Sequence, residues 1–209
     1  MYKEYSVLMS VYQKEYPEYL RAAITSIVNQ TLKAKEFVLV CDGPLTNALE
    51  QVLDEFSNIL ILVRLEKNVG LGMALAEGMR YCNCEWIVRM DSDDIAFPDR
   101  CKKQIIYVQQ HPEIDVLSGT VAEFEGSALT AEEAKQQVVS LKFVPETDRE
   151  IAEYIKFRNP INHPCVMFRK SKAAAAGGYQ QCHMFEDYDL WVRMFKNKCV
   201  FAYNLNKSS

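Results

Sequence analysis

At 209 residues the chain is long enough to bury one full hydrophobic core, and its net charge of −4 offers no basic footprint for nucleic acid. Its 49% hydrophobic and 25% charged content is that of an ordinary soluble globular protein. No run of about 18 apolar residues provides a membrane span.

Tyr5–Val11 (YSVLMSV) reads as a buried strand ending on Tyr12-Gln13. Pro17 opens a helix to about Asn29, with Leu20, Ala23, Ile24, Ile27 and Val28 on one face. Glu36–Cys41 (EFVLVC) is the second strand, closed by the turn signal Asp42-Gly43-Pro44. Leu45–Phe56 is helical, and Asn58–Leu65 holds a third strand, ILILVRL. Asn68-Val69-Gly70-Leu71-Gly72 leads into a helix to about Cys82, followed by the strand Trp86-Ile87-Val88.

This alternation predicts a mostly parallel α/β sheet of the Rossmann type, with helices on both faces. Right-handed crossovers would bring the strand ends to one edge: Tyr12, Asp42, Asn68 and Asp91–Asp94. Ligands bind at such an edge in open α/β folds. The last of these ends, Asp91-Ser92-Asp93-Asp94, holds three carboxylates that repel one another. An oxygen-preferring divalent cation, Mg²⁺ or Mn²⁺, would relieve that repulsion and supply local positive charge for an anionic substrate. The competing reading is a turn leading into an N-capped helix, since Asp is common at both. Arg89, just before the acids, is read as a structural partner for one of them.

The second half is less regular. Pro98–Gln110 is expected to be a helix with Asp99 in its first turn, and Asp115–Phe124 a single strand. Glu125–Phe143 has no clear period. Thr147-Asp148-Arg149-Glu150 is a capping-box pattern for a helix to about Phe157. Asn159–Pro164 (NPINHP) reads as a rigid loop and Cys165–Arg169 as a strand. A short helix, Ser171–Ala176, stops at Gly177-Gly178, and Glu186–Asn197 is the last helix. The seven cysteines are odd in number and irregularly spaced, with no second CxxC, and are read as reduced thiols of a cytosolic protein. The start, MYKEYSVLMSVYQKEY, lacks the pattern of a signal peptide.

Six motifs in this order, SVLMSVYQ, SIVNQT, VCDGP, NVGLGMALAEG, RMDSDDIAFPDR and FEDYDLW, resemble the family 2 glycosyltransferases of the GT-A fold and cover nearly the whole chain. The resemblance implies a metal-dependent, inverting transfer of a sugar from a nucleoside diphosphate sugar, UDP-linked, to a hydroxyl of a glycan or lipid-linked acceptor. The pathway it implies is surface polysaccharide biosynthesis. It places the base against Val11 and Tyr12, a hydrogen bond to uracil at Asp42, and the DxD-like element at Asp91, Ser92 and Asp93. Asp93, with Asp91, would hold Mn²⁺ or Mg²⁺, and Asn68 would shape a turn close to the nucleotide-sugar. Asp187 of the Glu186-Asp187 pair would be the general base. His163 is expected to make a loop hydrogen bond, with phosphate, acceptor or metal as the alternatives, and Trp191 borders the acceptor pocket if it is not core.

The domain expectation is a single unit, 1–209, with a nucleotide-sugar half at 1–100 and a smaller mixed acceptor half at 101–209, C-terminally shorter than in the family. The expected location is cytoplasmic, with at most peripheral contact at the inner face of the cell membrane. A sugar-phosphate nucleotidyltransferase would carry a Gly-rich basic loop after the first strand, where SVYQKEYP has none. A haloacid-dehalogenase-like phosphatase would carry its acids after the first strand rather than the fourth. A catalytically silent nucleotide-binding domain remains the alternative from outside enzymes.

Overall fold

The computed structural model describes residues 2–203; the polar end Asn206–Ser209 lies outside them. In chain order the first half runs β1 (Tyr5–Val11), α1 (Pro17–Val28), β2 (Glu36–Cys41), α2 (Asn47–Glu55), β3 (Leu60–Arg64), α3 (Leu71–Tyr81) and β4 (Trp86–Arg89). The second half runs α4 (Arg100–Gln110), β5 (Val116–Ser118), β6 (Val121–Phe124), α5 (Ala131–Gln136), β7 (Val138–Lys142) and α6 (Asp148–Tyr154). A short 3-10 turn at His163–Cys165, β8 (Met167–Arg169), α7 (Lys170–Ala175), α8 (Glu186–Lys196) and β9 (Phe201–Tyr203) complete it.

The main sheet has the order β3-β2-β1-β4-β8-β5-β9. Its pairs are parallel except for the two made by β8, which runs against β4 and β5. The central strands read as unbroken apolar runs because both faces are covered. Val7, Met9 and Val11 of β1 join α1, α2 and α4 on one side, whereas Leu8 joins Val38, Val40 and α3 on the other. Ser6, a polar residue in this interior, donates to the Glu36 carboxylate at 2.5 Å. The order places the reversal of strand sequence between β1 and β4, and so the edge crevice at their carboxyl ends.

Two expectations change in the second half. The strand expected over Asp115–Phe124 is two strands in different sheets: β5 joins the main sheet, and β6 pairs with β7 in a small antiparallel sheet. The break falls at Gly119-Thr120 because the NPINHP loop captures it. Asn162 donates its backbone N–H to Ser118 Oγ (3.1 Å) and its Nδ2 to the Gly119 carbonyl (2.9 Å).

The fourth helix begins at Arg100, not at Pro98. Phe97–Asp99 is held instead by Gln30 and Thr31, just past the end of α1. Gln30 Nε2 donates to the Phe97 carbonyl (2.8 Å), Thr31 N–H to the Pro98 carbonyl (2.9 Å), and Thr31 Oγ1 to Asp99 Oδ1 (2.8 Å). The capping box forms as the sequence implies, with Thr147 and Glu150 bonded reciprocally. Trp191 is wholly buried and packs within a core cluster with Phe168 and Leu190. The seven cysteines are free thiols; burial pushes Cys41 up to about 11 and Cys82 up to about 12.

Candidate active site

The carboxyl ends of β1, β2 and β4, with the loop after β3, enclose a crevice of about 460 Å³. Tyr12, Asp42, Asn68, Asp91, Ser92 and Asp93 line it, as the strand-end argument requires. Val11 does not line it: its side chain is in the core, and its carbonyl accepts the Asp42 N–H at 2.8 Å. Tyr12 is the first residue past β1 and turns outward, 43% exposed.

Asp42 ties two of the strand ends together. Its carboxylate accepts the N–H groups of Val69 (2.7 Å) and Gly70 (3.1 Å) at the N-terminus of α3, a favourable place for negative charge. Asn68 Nδ2 returns a bond to the Asp42 carbonyl at 3.3 Å. Gly43 makes the contact feasible. It has φ +87°, and a Cβ there would lie 2.6 Å from Asn68 N. The CDG and NVG motifs are thus two halves of one junction.

The acid turn follows β4 directly. Arg89, buried beneath it, forms an ion pair with Asp91. Ser92 Oγ donates to Glu15 at 2.5 Å, which brings a further carboxylate from the loop after β1 into the crevice. Among the described residues, Asp91, Asp93 and Asp94 place one carboxylate oxygen each within 4.8 Å of the others. Desolvation and the charges of Asp91 and Glu15 raise the pKa of Asp93. Burial, then Asp91 and Asp93, push Asp94 up to about 6. Carboxylates forced together in this way fit a hard divalent cation with oxygen preference, and the chemistry of the donor set favours Mg²⁺ or Mn²⁺.

The far wall comes from the segment before α8, where Gln181, Cys182, His183 and Met184 line the crevice beside Glu186. It approaches α3 closely at Gly72, where a Cβ would lie 2.4 Å from the Gln180 carbonyl oxygen and 2.9 Å from Glu186 Cβ. Asp187, the next residue, is not among the residues that line the crevice. Its Oδ2 accepts from Asn159 Nδ2 at 2.6 Å and its Oδ1 from the Tyr188 N–H at 2.7 Å. His163 bonds Tyr179 OH through Nε2 at 2.9 Å, and burial, then Arg89, hold it well below its usual pKa, hence neutral. Sequence reading missed Glu15 and residues 181–184 because neither carries a motif. Only the short reach from Ser92 to Glu15, and the small residue at 72, mark them.

The profile of glycosyl transferase family 2 matches residues 6–173. The amylovoran biosynthesis glycosyltransferase AmsE of Erwinia amylovora is 43% identical over 192 residues, 91% of this chain and 69% of that one. An Escherichia coli UDP-Gal:alpha-D-GlcNAc-diphosphoundecaprenol beta-1,3-galactosyltransferase is 34% identical over 198 residues, 94% of this chain and 69% of that one. S. aureus TarS in complex with UDP-GlcNAc shares the fold, with TM-score 0.76 at 19% identity over 98% of this chain and 56% of that one. So does a Pyrobaculum calidifontis mannosyltransferase in complex with GDP-Man and Mn²⁺, with TM-score 0.72 at 12% identity over 99% of this chain and 56% of that one. The chain therefore spans little more than half of these solved structures and about two thirds of the curated relatives. A strand order reversing at an acid-lined crevice, a GT-A sheet and a profile match over most of the sequence lead to one assignment: the chain belongs to glycosyl transferase family 2.

Proposed function

We propose that the protein is a metal-dependent, inverting glycosyltransferase of surface polysaccharide biosynthesis. It moves a sugar from a UDP-sugar to a hydroxyl of a glycan or lipid-linked saccharide. The observation that carries this reading is the crowding of Asp91, Asp93 and Asp94 at the edge of a nucleotide-sized crevice. The AmsE name supports the pathway, and the E. coli relative's name supports a UDP-linked donor and a lipid-linked acceptor.

In this reading Tyr12 forms the floor for the base, with Val11 packed in the core behind it, Asp42 accepts from uracil, and Asn68 and Ser92 complete the nucleotide-sugar contacts. Asp93 and Asp91 would hold Mn²⁺ or Mg²⁺, which when bound would supply positive charge to offset that developing on the departing diphosphate. Asp187 takes the acceptor hydroxyl proton as the new bond to the anomeric carbon forms. The bond from that carbon to the diphosphate oxygen breaks on the opposite face, and its electron pair leaves with the diphosphate. Asn159 holds the Asp187 carboxylate in place for this role. The work is done from the cytoplasmic side, in peripheral contact with the inner face of the membrane. Among the described residues no helix is long and apolar enough to cross it.

Calorimetric titration of UDP with Mn²⁺ and with chelator, for wild type and Asp93→Asn, tests the reading. The expected result is binding that needs both the metal and Asp93. Binding indifferent to both would remove the acid turn from the donor site and leave a silent nucleotide-binding domain.

A further inference from the structure

The far wall of the crevice, 181–184, leads directly into Glu186 and Asp187 on α8. It is entered through Gly177 and Gly178, at φ +92° and +63°, and it contains Met184 at φ +64°. A non-glycine residue keeps that left-handed conformation only where its surroundings impose it. Among the described residues, however, only one side chain of 179–185 makes a hydrogen bond. The Tyr179 hydroxyl meets His163 Nε2 at 2.9 Å.

Both partners of that bond are held from behind. Tyr179 is 3% exposed and packs edge-on to Phe168, with ring centroids 6.3 Å apart. His163 stands edge-on to Trp191 at 6.2 Å, and its neighbour Asn162 is fastened to Ser118 and the Gly119 carbonyl. Burial raises the pKa of the Tyr179 hydroxyl; Arg89 lowers it, and Asp187, Asp91 and Glu186 raise it, which sets the group between the acid turn and the start of α8. Asn159, on the same NPINHP loop as His163, donates to Asp187 Oδ2 at 2.6 Å. One loop therefore grips the segment at two points, ahead of the wall at Tyr179 and beyond it at Asp187.

We propose that His163 and Tyr179 are positioning residues, whose bond fixes the far wall of the crevice opposite the acid turn and so sets donor affinity. The proposal rests on the glycosyl-transfer reading above and adds two residues that sequence motifs do not mark for this role. Neither lines the crevice, so both act through the wall. A neutral imidazole can donate or accept at Nε2, and a phenol can do either, so the bond forms in both tautomers.

The test combines hydrogen exchange by mass spectrometry with calorimetric titration of UDP and Mn²⁺, on wild type, Tyr179→Phe, His163→Leu, their double variant and His163→Gln. Removing either partner is expected to speed amide exchange in 180–186 by about threefold to tenfold and to weaken UDP binding by a similar factor. His163→Gln, whose side-chain amide can bond the Tyr179 hydroxyl, is expected to recover both. The double variant is expected to lose no more than the worse single one, because the shared bond is lost once. UDP affinity unchanged in a folded Tyr179→Phe overturns the proposal, as do additive losses in the double variant. Faster exchange that spreads to β1 and β2, with no recovery in His163→Gln, would make the pair ordinary core and overturn it as well. If wild type binds no UDP the donor reading fails, and unchanged exchange in 180–186 of the variants is then the result that removes the anchor.

Discussion

Asp187 and Glu36 are both carboxylates already engaged by protein donors, and the donors decide their roles. Asp187 is held by Asn159 and by the Tyr188 N–H, which fixes the carboxylate without spending its charge. Asp187→Asn keeps the size and removes the basicity. Transfer is expected to fall by about 10²–10⁴-fold, with UDP affinity retained. An equal loss of donor affinity by calorimetry would refute the base assignment. Glu36 is structural. Desolvation raises its pKa, but bonds from Ser6, the Asn83 side chain and the N–H groups of Asn83 and Cys84 outweigh it, and the net pKa lies below the ordinary 4.5. A lowered carboxyl pKa contributes stability above the unfolded value and loses it as pH falls through the folded one. The melting-temperature difference between wild type and Glu36→Gln is therefore expected to be full at pH 7 and to close below about pH 4. A difference constant with pH would point to packing rather than charge.

At the scale of elements, the SIVNQT motif acts as a brace for the segment after the acid turn. Gln30 is fully buried; its Oε1 accepts the Cys101 N–H (3.0 Å), and its Nε2 donates to the Ser26 (3.1 Å) and Phe97 (2.8 Å) carbonyls. Ser26 Oγ also accepts the Ala96 N–H at 3.0 Å. This brace is the reason Pro98 lies outside α4: Pro98 and Asp99 are tied to Thr31 before the helix can start. Gln30→Ala strands those backbone groups and is expected to cost about 1–3 kcal/mol in urea unfolding. An unchanged midpoint would show that water replaces the side chain at no loss. Local patterns carried the elements whose signals are local, such as the Thr147 capping box and the Pro17 start of α1. They failed at Pro98 and at Gly119, where distant hydrogen bonds outweighed propensity.

At the scale of the molecule, β8 and β5 extend the first-half sheet with strands from the second half, and both halves contribute residues to each of the two core clusters. Trp86 on β4 and Trp191 on α8 are both buried and report on the two halves. Single-tryptophan variants, Trp86→Phe and Trp191→Phe, are expected to unfold in one transition with fluorescence and circular dichroism superimposed. Two separated midpoints would divide the chain into independent units. The sequence by itself determined the alternation of strands and helices in the first hundred residues, and with it the edge at which Tyr12, Asp42, Asn68 and Asp91–Asp94 meet. Those features follow from periodicity within a few residues and from the fixed handedness of crossovers. Only the tertiary structure decided that Arg89 sits under Asp91, that Glu15 joins the acids, and that 181–184 closes the crevice. It also decided that the segment over 115–124 divides between two sheets. Each of these depends on groups brought together from distant parts of the chain, and no local period encodes such a meeting.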